Sequence, residues 1–236
     1  MLVGDGIQKD HASWDFHGKQ LVDHFHDHIS NSIMSYTEGH RIICYLSDYF
    51  CRNGSICYDL GASTGELLRE LAAYHKGKKI QWRGLDIVPE MVEKASEQSK
   101  EFANVKFEEA DLLTYSFEQT DLFTSYYTLQ FINPSQRQSI VNKVYNSLNY
   151  GGAFIMFEKV QEQSGLFQDI SNMVYSEFKI SKGFSYEEVM AKSLAIKGVL
   201  VPNTSLENVD LLKKAGFKKI YKFFKSMCFE GILAIK

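Results

Sequence analysis

Read for apolar periodicity, the chain alternates between two rhythms. Short apolar runs recur at residues 56–60, 79–86, 105–112, 121–127 and 153–157, each 5–8 residues long and rich in Ile, Leu, Phe, Tyr and Val. Stretches with helical spacing lie between them. Glu66-Leu67-Leu68-Arg69-Glu70-Leu71 follows the first run, and Pro89-Glu90-Met91-Val92 opens a helix after the second. A helix running through Val144 and Leu148 follows the fourth and ends at Asn149-Tyr150-Gly151-Gly152. Strand and helix in alternation predict an α/β domain with a mostly parallel, doubly wound sheet whose ligand sits at the carboxyl ends of the strands.

The pattern departs from this rhythm in three places. Ahead of the first strand it predicts a helix over residues 19–33, with Leu21, Val22, Phe25, His28 and Ile29 on overlapping faces. A break at 32–36 follows, and then a lid-like helix over 38–52 striped by Ile42, Ile43, Tyr45, Leu46 and Phe50. Residues 161–200 interrupt the alternation with two helices, 168–178 and 186–194, placed to cover the crevice. The chain closes with a helix over 206–215 stopped by Gly216, then strands 217–224 and 227–235 joined near Lys225-Ser226. The expectation is one domain, 1–236, with a helical lid over 14–52 and a cap over 161–200. Residues 1–13 are polar and are expected to stay poorly ordered until something docks them.

Composition changes little in this picture and excludes several classes. The 236 residues suffice for one α/β domain with a substantial core, and 44% hydrophobic with 23% charged residues is ordinary for a soluble protein. A net charge of −3 argues against a generally basic nucleic-acid surface. Lys213, Lys214, Lys218, Lys219, Lys222 and Lys225 are read as solvated faces of a helix and a strand. Cys44, Cys51, Cys57 and Cys228 show no Cys-x-x-Cys spacing, so reduced thiols in a cytoplasm are expected. No basic region followed by an apolar run opens the chain, and no stretch approaches the roughly 20 apolar residues of a membrane span. His24, His26 and His28 share a helix without the wider spacing of a zinc site, and no metal is expected.

Chemistry concentrates at the first strand–helix junction, Tyr58-Asp59-Leu60-Gly61-Ala62-Ser63-Thr64-Gly65. Gly61 lets the chain leave the strand in a conformation a side chain would block, and Gly65 lets the helix start sit close to sheet and ligand. Ala62 and Ser63 leave backbone N–H groups open at a positive helix end. Neither Gly-x-Gly-x-x-Gly nor a Gly-Lys-Ser/Thr phosphate loop is present. The second strand ends in Asp86, 27 residues after Asp59, near where such sheets place the carboxylate that takes two ribose hydroxyls. Helix capping next to Pro89 is the competing role for Asp86. The third strand again ends in an acid, Asp111, and the fourth in Tyr126-Tyr127.

Asp-Leu-Gly-x-Ser-x-Gly resembles the first motif of class I S-adenosyl-L-methionine (SAM) dependent methyltransferases, with Ser63 where many members carry a second glycine. That fold is Rossmann-like, a mostly parallel seven-stranded sheet ending in an antiparallel hairpin. From about Trp14 to the C-terminus the chain is similar to the bacterial carboxy-S-adenosyl-L-methionine synthases. The match includes Trp14-x-Phe16, Tyr36, Thr128-Leu129-Gln130-Phe131, Pro134-Ser135-x-Arg137-Gln138, Glu158-Lys159, Gly183-x-Ser185 and Lys214-Ala215-Gly216-Phe217. The resemblance implies that Tyr36, Asp59, Gly61, Ala62, Ser63, Gly65, Asp86, Ile87, Asp111, Leu112 and Tyr126 surround SAM, and that the protein is a homodimer. It also carries two departures. Tyr126 stands where the family has asparagine, and Ser193 where the family's arginine grips the extra carboxylate of carboxy-SAM, with the cation Lys192 adjacent.

The functional expectation is a SAM-dependent methyltransferase acting on an unidentified acceptor beneath the cap. Tyr126, Tyr127, Gln130, Glu158, Lys159 and Lys192 are the candidates for lining the acceptor pocket; core packing is the alternative for the two tyrosines. A second expectation is carboxy-SAM synthesis from SAM and prephenate, serving wobble-uridine modification in tRNA, with carboxy-SAM as bound cofactor near Ser193. A third is a non-catalytic SAM-binding module. No membrane partner and no direct nucleic-acid partner are expected.

Overall fold

The computed structural model describes residues 19–236; the expectations for residues 1–13, Trp14 and Phe16 lie outside them. Strands β1 (Ile56–Leu60), β2 (Gln81–Asp86), β3 (Val105–Glu109), β4 (Thr120–Tyr126), β5 (Leu148–Lys159), β6 (Lys219–Ser226) and β7 (Phe229–Ile235) form one sheet in the order β3-β2-β1-β4-β5-β7-β6. The first five pair in parallel and β7 runs antiparallel between β5 and β6. Strand order reverses at β1 and β4, so the crevice between their carboxyl ends is the place for a ligand.

Helices α3 (Glu66–Tyr74), α4 (Pro89–Gln98), α5 (Pro134–Ser147) and α8 (Ser205–Ala215) connect the strands. Two apolar layers result, one on each sheet face. Leu67, Leu68, Leu71 and Trp82 pack in one, and Phe123, Ile140, Val144 and Phe154 in the other. The central strands read as unbroken apolar runs because both faces are covered.

Helices α1 (Lys19–Ser32) and α2 (Tyr36–Ser47) precede the sheet, and α6 (Gly165–Ser181) and α7 (Tyr186–Ala195) form the insertion after β5. Several boundaries differ from the sequence reading. The second helix stops at Ser47, five residues short of Arg52, and its buried face is Gly39, His40, Ile43, Cys44 and Ser47, whereas Tyr45 is exposed. That face meets α3 and the crevice, which accept polar groups, so the apolar stripe misplaced it. The fifth strand begins at Leu148, taking in the glycines expected to end the preceding helix. The closing hairpin turns at Met227-Cys228 instead of Lys225-Ser226, with Met227 left-handed at φ 52°.

Candidate functional site

A cavity of about 540 Å³ opens above the carboxyl ends of β1, β2, β4 and β5, within the range of small-molecule sites. Its floor is the turn after β1. Gly61 has φ 72°, and the Thr128 side chain occupies the space a Cβ would need there. Thr128 Oγ1 donates to the Leu60 carbonyl at 2.7 Å, which pins the β4 end against the β1 turn. Ser63 is left-handed at φ 49°, a strained conformation for a residue with a side chain. The Asp86 carboxylate compensates, accepting the Ser63 N–H at 2.8 Å and the Val88 N–H at 3.0 Å. Asp86 therefore ties the β1 turn to the segment that leads into α4, whose N-cap Val88 has no side-chain cap, and it lines the cavity. Burial pushes its pKa up against those amide donors.

Gly61, Ala62, Ser63, Asp59, Asp86, Ile87, Asp111, Leu112, Tyr36 and Tyr126 all line this cavity. Asp59 accepts from Thr124 Oγ1 at 2.7 Å, and burial raises its pKa to about 7. Asp111 accepts the Leu113 N–H at 2.8 Å, shaping the turn that presents Leu112. Ile87 remains 64% exposed at the rim. Gly65 does not line the cavity: Phe107 and Ala95 sit where its Cβ would be, so it sets the approach of α3 to the sheet.

The expected acceptor residues separate. Tyr126, Tyr127, Gln130, Lys159 and Lys192 line the cavity. Glu158 does not. It turns to the other side of the strand and accepts the Leu129 and Gln130 N–H groups, both at 2.9 Å, and burial raises its pKa to about 8. With buried Arg137, which donates to the Gln130, Ile132 and Val201 carbonyls, it fixes the 129–131 turn from behind. The turn presents Gln130, whose Oε1 accepts the Lys159 N–H at 2.9 Å. Ser193 also lies off the cavity, exposed on α7 with Oγ donating to the Val189 carbonyl at 2.8 Å, while Lys192 one position earlier faces in.

One wall residue, His40, escaped the sequence reading and packs with two that were expected there. Tyr36, Tyr126 and His40 form a cluster with ring centroids 4.7–5.1 Å apart. Tyr126 donates its hydroxyl to the Tyr36 carbonyl at 2.6 Å, filling the space left by Gly39. His40 is 1% exposed, with Nδ1 3.1 Å from Glu70 Oε1 and Nε2 buried without a hydrogen-bond partner. His26 and His28, expected as solvated or partly packed, are lining residues too, and the cap side is closed by Tyr175 and Lys179 of α6. Among the described residues no group of three or more His, Cys, Asp or Glu is placed to hold a metal ion, and no helix is long and apolar enough to cross a membrane.

A family model described as a methyltransferase domain matches residues 57–152, the stretch from β1 into β5. The carboxy-S-adenosyl-L-methionine synthase of Staphylococcus epidermidis is 37% identical over 94% of this chain and 97% of its own. That of Campylobacter lari is 37% identical over 90% of both. Among solved structures, an O-methyltransferase family protein from Burkholderia thailandensis superposes with a TM-score of 0.65 at 14% identity, over 93% of this chain and 60% of that one. Human N-acetylserotonin methyltransferase in complex with SAM gives 0.62 at 17%, over 92% and 55%. The chain thus spans little more than half of those two proteins, which share its fold: a seven-stranded Rossmann-like sheet with an antiparallel hairpin.

Proposed function

Because this chain belongs to the carboxy-S-adenosyl-L-methionine synthase family and is a SAM-dependent enzyme of methyltransferase type, we propose that it transfers the sulfonium methyl group of SAM to a small acceptor held beneath α6 and α7. The observation that carries this reading is the continuity of one cavity from the Gly61–Ser63 turn to the underside of the cap. Gly61 to Ser63 would lie under the methionine end, Asp86 on the ribose hydroxyls, and Asp111 with Leu112 by the adenine. In the transfer, a lone pair of the acceptor forms the new bond to the methyl carbon. The carbon–sulfur bond breaks with its electron pair passing to sulfur, and the acceptor's proton leaves, giving S-adenosylhomocysteine. Alignment and exclusion of water are what this chemistry needs, and both come from an enclosed cavity.

A second reading, carboxy-SAM formation from SAM and prephenate for tRNA wobble-uridine modification, draws on the names of the relatives and on Lys192, a cation on the cavity wall. Against it stands the outward-facing Ser193 at the expected arginine position; a lysine lacks the planar fork that fits a carboxylate. A SAM-binding module without chemistry is the third reading. Incubation with SAM and prephenate followed by mass spectrometry separates them. Conversion to S-adenosylhomocysteine only with an added acceptor supports methyl transfer, and a mass gain on SAM replaces that reading with the synthase. No product across an acceptor panel, with SAM bound by calorimetry, leaves the binding module; absence of SAM binding overturns all three.

We further propose a cytoplasmic homodimer. Leu166, Phe167, Ile170 and Met173 on α6, with Met190 and Leu194 on α7, are 46–67% exposed, apolar side chains of the kind a partner would cover. Light scattering of the purified chain tests it, and a monomer at micromolar concentration would sink it.

A further inference from the structure

Methyl transfer to an O–H or N–H group leaves one proton to be placed. On the cavity wall, Asp59, Asp86 and Asp111 already accept hydrogen bonds, from Thr124 Oγ1, from the Ser63 and Val88 amides, and from the Leu113 amide. Tyr36 and Tyr126 do not suit the task. Burial pushes both phenols' pKa values up, so they stay protonated, and Tyr126 commits its hydrogen to the Tyr36 carbonyl.

His40 differs from all of these. It lines the cavity from α2, with its ring centroid 4.7 Å from those of Tyr36 and Tyr126, which fix the plane of the imidazole. Nδ1 lies 3.1 Å from Glu70 Oε1 on α3. A carboxylate can only accept, so Nδ1 carries the hydrogen of this pair and the neutral ring leaves Nε2 as a bare acceptor. Nε2 is buried and has no hydrogen-bond partner among the described residues. A buried acceptor left unpaired is costly and rare in folded proteins, and a hydroxyl or N–H brought into the cavity would complete it. An imidazole held through its far nitrogen by a carboxylate, with the near nitrogen free, is also the arrangement a general base needs.

We propose that His40 is the general base of the methyl transfer and that Glu70 is its positioning residue. This rests on the reading of the protein as a methyltransferase with a second substrate under the cap. The acceptor is then a neutral compound with a hydroxyl on a flat ring, which the flanking Tyr36 and Tyr126 rings suit. In the step, an oxygen lone pair forms the bond to the methyl carbon and the carbon–sulfur pair passes to sulfur. The electrons of the O–H bond stay on oxygen, and its proton passes to Nε2. The imidazolium so formed is paired through Nδ1–H with Glu70, and it returns the proton to water when the product leaves.

The test uses meta-nitrophenol, largely un-ionised in neutral water, and meta-nitroanisole, which has the same body and no hydrogen to give. Both are titrated by calorimetry into protein loaded with S-adenosylhomocysteine at neutral pH. The phenol should bind at least about tenfold more tightly than the ether, and its absorption should move on binding toward that of the phenolate. Both effects should vanish in His40→Leu, with S-adenosylhomocysteine affinity kept within about twofold. Nitrogen NMR of isotope-labelled histidine should show hydrogen on His40 Nδ1 and none on Nε2, and the phenol should shift the Nε2 resonance where the ether does not. Glu70→Leu should let the hydrogen move to Nε2 and abolish the preference, whereas Glu70→Gln, whose amide oxygen still accepts from Nδ1, should retain part of it. Equal binding of phenol and ether, no phenol binding up to millimolar concentration, an unmoved absorption, or a preference that survives His40→Leu overturns the proposal. Failure of S-adenosylhomocysteine to bind, with the phenol still shifting Nε2 in the free protein, would leave the His40 contact standing and remove the SAM reading. The unsubstituted protein's own resonances carry the test where a variant does not fold.

Discussion

The floor of the cavity and its cover are built by different rules. Around the floor, Asp59, Leu60, Ala62, Thr64, Leu67 and Leu68 are all at most 6% exposed, and the strained Ser63 is held by a carboxylate. In the cover, α7 buries no residue, and α6 buries Ser171 and Lys179 among its 17 residues. Strain can persist only where the surroundings over-determine the backbone, and that holds for the floor. A helix anchored by few buried contacts can instead change sequence or position at small cost. One fold thus joins a rigid floor to a loosely attached cover; under the proposed function the first would recognise the cofactor and the second would choose the substrate.

The largest effect should come from the floor. Asp86→Ala removes the acceptor for the Ser63 and Val88 amides together with the proposed ribose contact. Two charge-assisted hydrogen bonds at about 1.5 kcal/mol each correspond to roughly a hundredfold loss of SAM affinity. Calorimetry reads this directly. A loss below fivefold would mean that the turn does not depend on Asp86 and that the floor is no more rigid than the cover.

This contrast also explains how far the sequence could be read. That Asp59, Gly61, Asp86 and Asp111 share one crevice was legible because strand ends and a glycine turn impose fixed spacing on polar residues. The two-helix cap was legible as an interruption of the alternation. Which residues face inward was harder. Glu158 sits at a strand end like the aspartates, but successive strand residues point to opposite sides, so Lys159 reaches the cavity and Glu158 the backbone amides behind it. His40 was missed because its helix turns a mixed polar face to α3 and the cavity, where an apolar stripe is no guide. Ser193 and Lys192 are neighbours on a helix, and no alignment without coordinates could tell which of them faces in.

The next effect concerns the seam between α2 and the floor. A Cβ at Gly39 would overlap the Tyr126 hydroxyl, so Gly39→Ala forces the hydrogen bond to the Tyr36 carbonyl apart. Overpacking of this kind costs about 1–3 kcal/mol. Tyr126→Phe frees the space and gives up one hydrogen bond, so the double variant should be more stable than the sum of the single ones implies, by about 1 kcal/mol or more. Chemical denaturation of the four proteins measures the coupling. Strict additivity would show that the residues do not act as one unit.

Two buried acids, Asp59 on the cavity wall and Glu158 behind the 129–131 turn, give the sheet side a pH signature. The folded pKa values of Glu158 and Asp59 are raised to about 8 and about 7, above their unfolded values near 4, so the folded state binds more protons in between. Their stability contribution is present in full below about pH 4 and is lost as pH rises toward 7–8. Each group adds a slope of up to about 1.4 kcal/mol per pH unit. Glu158→Gln should flatten the fall in unfolding free energy between pH 5 and 8 by about one proton's worth. An unchanged slope would mean that Glu158 is ionised throughout, paired by Arg137 and the two amides.

The smallest effect should come from the cover. Ser193 is exposed, its hydroxyl bonded to the Val189 carbonyl within its own helix, so Ser193→Arg adds a cation that points away from the cavity. An exposed substitution of this kind stays within about 0.5 kcal/mol in stability. Affinities for SAM and for carboxy-SAM should both change less than twofold. Lys192→Ala removes a charge from the cavity wall and should weaken carboxy-SAM by at least fivefold more than SAM. The reverse pattern, in which Ser193→Arg strengthens carboxy-SAM binding alone, would show that α7 rotates by about a third of a turn when ligand is bound. The cover would then be a moving part of the site, and the contrast with the fixed floor would be one of dynamics as well as packing.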